Sequence, residues 1–200
     1  MKEDRPNWIY IVSLIVFIGL IFIAYFSGVR DYVNDGIIMI FLLSLAFFAW
    51  DSLKLKPWVF LLIAFGFLLH NFGVFGFYND SPLFIQWDHI THFFGELAMG
   101  AFVFNYMYRS GIFVGGKLQT FYLCSIAVLA AMGFGVFVEF MEFGGYFLVG
   151  EGAGVLGHGL GDINTEFINS EWFNTMFDLI YNFIGAVVGV VIAYFVSRIK

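Results

Sequence analysis

At 200 residues, 61% hydrophobic and only 12% charged, the chain is far more apolar than a soluble domain, in which about 45–50% of residues are apolar and about 25% charged. This excludes a soluble enzyme and points to an all-α fold, a polytopic membrane protein with six transmembrane helices in one domain spanning residues 1–200. The net charge of −6 comes without a basic cluster, so nucleic acid is excluded as a partner.

Taken in order, residues 8–26 form the first span. Their apolar run exceeds the core of about 7–15 residues that a cleaved signal peptide carries. A short connection leads to a second span at 36–50, and Lys54, Lys56 and Pro57 punctuate the chain before a third at 58–78. The fourth span, 88–108, opens with Asp88, His89, His92 and Glu96. A glycine-rich turn then precedes the fifth, 118–143, which ends on Glu139 and Glu142. Residues 144–170 are acidic and rich in glycine, and a loop of that length is functional or flexible. Within it His158 and Asp162 are spare candidate ligands. The sixth span, 172–197, carries Asn174, Asp178 and Asn182, followed by Gly185 and Gly189 at a spacing suited to close helix packing. Cys124 lies alone in an apolar run and is expected to act as a small buried hydrophobe.

Six spans place both termini on one side. Lys2, Arg5, Lys54, Lys56, Arg109, Lys117, Arg198 and Lys200 then share that side, and Arg30 alone lies on the other. The positive-inside rule makes the termini cytoplasmic, and the plasma (cytoplasmic) membrane is the expected location. Most acids fall at the opposite, outer end.

Asp88, His89, His92 and Glu96 share one helix wedge about 100° wide. Ionised groups within a span cost roughly 2.5–3.5 kcal/mol each at the bilayer centre, so such a stripe calls for partners. Glu139 and Glu142 share a face of the fifth span, and Asn174, Asp178 and Asn182 recur every turn of the sixth. The five carboxyls Asp88, Glu96, Glu139, Glu142 and Asp178 meet no Lys or Arg within the spans. Protonation, water or a bound cation can compensate them. A divalent metal ion such as Zn, Mn or Fe explains the mixture of imidazole and carboxylate best. His70 is expected to be a hydrogen-bonded packing residue, and His89 to lie toward the headgroups.

The order Asp-x3-His, Glu-x2-Glu, Asp-x3-Asn-x2-Gly resembles the YjdF-like inner-membrane proteins of unassigned function, within the wider VanZ-like membrane proteins. It is carried by Asp88, His92, Glu139, Glu142, Asp178, Asn182 and Gly185, and covers roughly residues 58–192. Asn174 departs from the Asp expected there in the YjdF-like pattern, and Glu142 from the Gln common in VanZ-like chains. The VanZ-like link to glycopeptide-antibiotic resistance implies a lipid or lipid-linked envelope substrate.

The residues thus suggest an outer-leaflet metal site. Asp88, His92 and Asp178 are its expected ligands and Glu139 and Glu142 its catalytic groups, with Glu96, Asn182, His89 and Asn174 orienting them or binding substrate. Metal-assisted hydrolysis or group transfer is the reaction class these groups suit. The alternatives are a proton- or cation-coupled transporter using the same carboxyls, and a non-catalytic envelope scaffold.

Overall fold

The computed structural model describes residues 5–112, 116–149 and 170–198. Six α-helices account for most of them: α1 (Asn7–Ser27), α2 (Asp31–Phe48), α3 (Pro57–Asn71), α4 (Trp87–Arg109), α5 (Lys117–Val149) and α6 (Ser170–Arg198). Five are long and apolar enough to cross a membrane. The remaining one, α4, has 23 residues, about 34 Å at 1.5 Å per residue, which exceeds a hydrocarbon core of about 30 Å. Its polar stripe sets it apart from the others, and its place in the bundle explains why that stripe is tolerated.

Local chemistry sets the helix ends. Gly28, at φ 81°, adopts the left-handed conformation that closes α1, a geometry that costs glycine nothing. Pro57 occupies the first turn of α3, where its missing N–H is no loss. Three boundaries differ from the sequence expectation. The second helix begins at Asp31, five residues early, because an acid in the first turn complements the helix dipole. As a result Asp35 lies inside the helix and is buried. The third ends at Asn71 and continues as a 3-10 turn, Phe72–Phe75. The fifth runs through Gly144 and Gly145 to Val149, so Glu139 and Glu142 sit within a helix and not at its end.

Three apolar clusters result among the described residues, the smallest of them Leu20, Ala24, Tyr32 and Val74. Ile9 and Phe17 of α1 pack with Met39, Leu43 and Phe47 of α2 and with Val59, Phe60 and Ile63 of α3. Ala101 and Phe104 of α4 pack with Leu123 and Ala127 of α5 and with Val190 and Ala193 of α6. Ala98 of α4 belongs to the cluster of Ile9 and Phe17, so α4 joins the two larger clusters. Twelve of its residues are buried, four of them the ionisable Asp88, His89, His92 and Glu96.

Helices α4 and α6 run parallel and in register. His89 meets Asp178 and His92 meets Asn182, and a turn further on Gly185 lies against the backbone at Phe93 and Gly189 against that at Leu97. A Cβ at either glycine would enter the α4 main chain. The glycine pair therefore sets how close the two helices come, and that spacing lets short side chains such as Asp178 and Asn182 reach α4.

Candidate metal centre

The polar residues of α4, α5 and α6 converge at the end of the bundle where α4 and α6 begin. Asp178 is fully buried. It accepts hydrogen bonds from His89 Nδ1 at 2.8 Å and from Asn174 Nδ2 at 3.0 Å. His89 lies flat against the Tyr181 ring, with centroids 4.8 Å apart. The headgroup position expected for His89 is thus corrected: its outer location in sequence is overridden by an aromatic stack and a buried carboxylate partner.

His92 is the centre of the arrangement. Its Nδ1 lies 3.1 Å from Asn182 Oδ1. A carbonyl oxygen only accepts, so Nδ1 carries the proton and donates. Nε2 then faces Asp88 Oδ1 at 3.5 Å and Glu139 Oε1 at 3.7 Å, both too long for a hydrogen bond. Two donors held about 2.0–2.1 Å from one tetrahedral ion lie about 3.4 Å apart, close to both distances. Single ligand atoms of Asp88, His92 and Asp178 come within 4.8 Å of one another, and so do those of His92, Glu139 and Glu142; either group can hold a metal ion.

Around this centre lie several polar atoms without a hydrogen-bond partner among the described residues: Glu96 Oε2, Glu139 Oε1, Asn174 Oδ1 and Asn182 Nδ2. Each such atom costs about 1–3 kcal/mol if left dry. Gly135 of α5 makes room for Asn182 and Glu96. A Cβ there would lie 2.6 Å from Asn182 Nδ2 and 3.1 Å from Glu96 Oε1. Nothing in its sequence surroundings marks this glycine, since the contact is purely tertiary.

The structure therefore brings Asp88, His89, His92, Glu96, Glu139, Glu142, Asn174, Asp178 and Asn182 to one place between three helices. His158 and Asp162 lie outside the described residues. His70 is the hydrogen-bonded packing residue expected, and it belongs to a separate network on the other flank of α4. Its Nε2 lies 3.1 Å from Asp35 Oδ2, and its Nδ1 2.8 Å from the Tyr78 hydroxyl. That hydroxyl also approaches Thr91 Oγ1 at 3.4 Å, which in turn donates to the Asp88 carbonyl at 2.7 Å. Sequence reasoning missed Asp35 because residues 27–35 read as a connection before a span that starts at Gly36.

An all-helical bundle whose central helix buries a histidine among carboxylates defines a class, polytopic membrane proteins with a buried acidic site. More particularly, the chain belongs to the family described as Predicted membrane protein (DUF2238), whose model matches residues 6–199. That is the YjdF-like family, and the match extends over the first two helices as well. No curated protein and no solved structure matches the chain.

Proposed function

We propose that α4, α5 and α6 hold a divalent metal ion through His92 Nε2, Asp88 and Asp178, with Glu139 and Glu142 beside it. The observation that carries this is the pair of 3.5 Å and 3.7 Å separations around His92 Nε2. These are ligand-to-ligand spacings, held by an Asn182 contact that fixes the tautomer a metal requires. Zn, Mn and Fe suit such a mixed nitrogen and oxygen set.

The site faces the outer leaflet in this reading. Arg5, Lys54, Lys56 and Arg109 gather at the opposite end of the bundle, where Arg5 pairs with Asp51 and Lys54 reaches the Arg109 carbonyl. The positive-inside rule makes that end cytoplasmic, and in this reading the membrane is the plasma membrane. The substrate is then a lipid or lipid-linked envelope compound, in keeping with the VanZ-like order of motifs. The reaction class is metal-assisted hydrolysis or group transfer: an ion held by Asp88, His92 and Asp178 would make a water or a substrate hydroxyl more acidic, and Glu139 or Glu142 would take its proton and pass it to the leaving group.

Elemental analysis of the purified protein tests the core of this. About one ion per chain is expected in the wild type, none in His92→Ala, and about 10–100-fold weaker binding in Asn182→Ala. A wild-type chain that stays metal-free after loading with Zn, Mn and Fe in turn would sink it. A lipid product formed by the wild type and absent with Glu139→Gln would support the catalytic half.

A second reading, a proton- or cation-coupled transporter, is favoured by Glu96. It lies deepest in the polar stripe, and its Oε2 is buried without a partner among the described residues, as a titrating intramembrane acid can be. Flux in proteoliposomes abolished by Glu96→Gln, with metal content unchanged, would favour it.

A further inference from the structure

The polar residues of α4, α5 and α6 are stacked one helical turn apart. Four residues, about 6 Å of helix, separate His92 from Glu96 on α4, Asp178 from Asn182 on α6, and Glu139 from Gly135 on α5. Glu96, Asn182 and Gly135 thus form a layer on the side of the metal centre away from the start of α4. Here α5 presents a glycine where the neighbouring layer has a carboxylate. Beyond it the backbones of α4 and α6 lie close, Gly189 against Leu97 and Gly100 against Ala186. Asn182 is fully buried and Glu96 is 4% exposed.

Asn182 Nδ2 and Glu96 Oε2 have no hydrogen-bond partner among the described residues. The two are complementary, since an amide nitrogen only donates and a carboxylate oxygen accepts. Both side chains end over the same glycine: a Cβ on Gly135 would lie 2.6 Å from Asn182 Nδ2 and 3.1 Å from Glu96 Oε1. Yet they do not bond each other directly. One water satisfies both, accepting from Nδ2 and donating to Oε2, and the burial of both side chains favours it over a larger ligand.

The other end of the amide holds His92. Asn182 Oδ1 accepts from His92 Nδ1 at 3.1 Å, and an amide turned over would present Nδ2 there instead. That flip would make Nδ1 the accepting nitrogen and move the ring proton to Nε2, the atom that faces Asp88 and Glu139. Whatever holds Nδ2 therefore decides which ring nitrogen keeps its lone pair free.

We propose that Glu96 is a positioning residue: through one water over Gly135 it holds the Asn182 amide, and so keeps the His92 Nε2 lone pair directed at the metal centre. Its purpose rests on the metal-binding reading of the site, but the orientation exists with or without the ion.

Nitrogen-15 NMR of the metal-free full chain, in detergent and mildly alkaline buffer, reads the His92 tautomer, with His92→Gln identifying its signals. The wild type is expected to carry the proton on Nδ1. Glu96→Leu removes the acceptor; the proton should then spread over both nitrogens, and metal should bind about 10-fold more weakly. Glu96→Gln, the variant that would abolish flux in a transporter, retains an acceptor oxygen and should keep the wild-type tautomer. Gly135→Ala should displace the amide and shift the tautomer as Glu96→Leu does. Its melting temperature should hold or rise, since alanine suits a helix better than glycine. An unaltered tautomer in either Glu96→Leu or Gly135→Ala would overturn the proposal. So would a Glu96→Gln chain that loses the tautomer as Glu96→Leu does, because charge and not the bridge would then be at work. A wild type that takes up no ion defeats the metal-binding reading alone, and the tautomer of the metal-free variants still decides the role of Glu96.

Discussion

Two polar clusters flank α4, and they are built differently. On the α2 and α3 side, Asp35, His70, Tyr78 and Thr91 form a continuous chain of hydrogen bonds that ends on the Asp88 carbonyl. On the α5 and α6 side, more carboxyls crowd around one imidazole, and several buried atoms have no partner among the described residues. A satisfied network is stabilising in itself, whereas a partly satisfied one is costly until something completes it. The first cluster thus reads as architecture and the second as a receptor, although both are made of the same residue types.

The contrast can be broken most severely at the helix interface that supports only the second cluster. Gly185→Leu should drive α6 away from α4 at a cost of about 3 kcal/mol, the upper end for overpacking, with metal lost altogether; thermal unfolding and elemental analysis in detergent would report both. Next in size, the two clusters should respond in opposite ways to losing one member. His70→Ala leaves Asp35 buried without its imidazole and should cost about 1–3 kcal/mol in unfolding while the metal stays. Asp88→Asn should lower metal affinity at least about 100-fold, as expected of a ligand. It should leave the metal-free protein as stable as before or more so, because it relieves crowding among like charges. If Asp88→Asn instead destabilises as His70→Ala does, the second cluster is architecture too. The smallest effect is expected from Tyr78→Phe, about 1–2 kcal/mol for the hydroxyl's contacts with His70 and Thr91, with no change in metal content.

Much of the second cluster was legible because each of its motifs repeats at helical spacing. Asp88 and His92, Glu139 and Glu142, and Asp178 and Asn182 share faces by arithmetic alone, and common depth then groups them. The first cluster was hidden because Asp35 falls within residues 27–35, which read as a connection, while the helix actually begins at Asp31. Pattern also failed at Gly144 and Gly145, where α5 continues, since an apolar surrounding offers the backbone no partner outside the helix. Neither the stacking of His89 on Tyr181 nor the space opened by Gly135 can be seen from spacing, because both depend on how helices distant in sequence meet.

The same polar stripe bears on how the protein is made. Among the six helices α4 alone falls short of the apolar character of a membrane span, and its closest companion, α6, comes last in the chain. When α4 leaves the ribosome, neither Asp178 nor Asn182 has yet been synthesised, so Asp88, His89, His92 and Glu96 have no α6 to meet. Stable lodging of α4 in the bilayer is therefore a late event in biogenesis, completed when α6 docks alongside it. A chain cut short before Ser170 would carry a helix that has no settled place in the membrane.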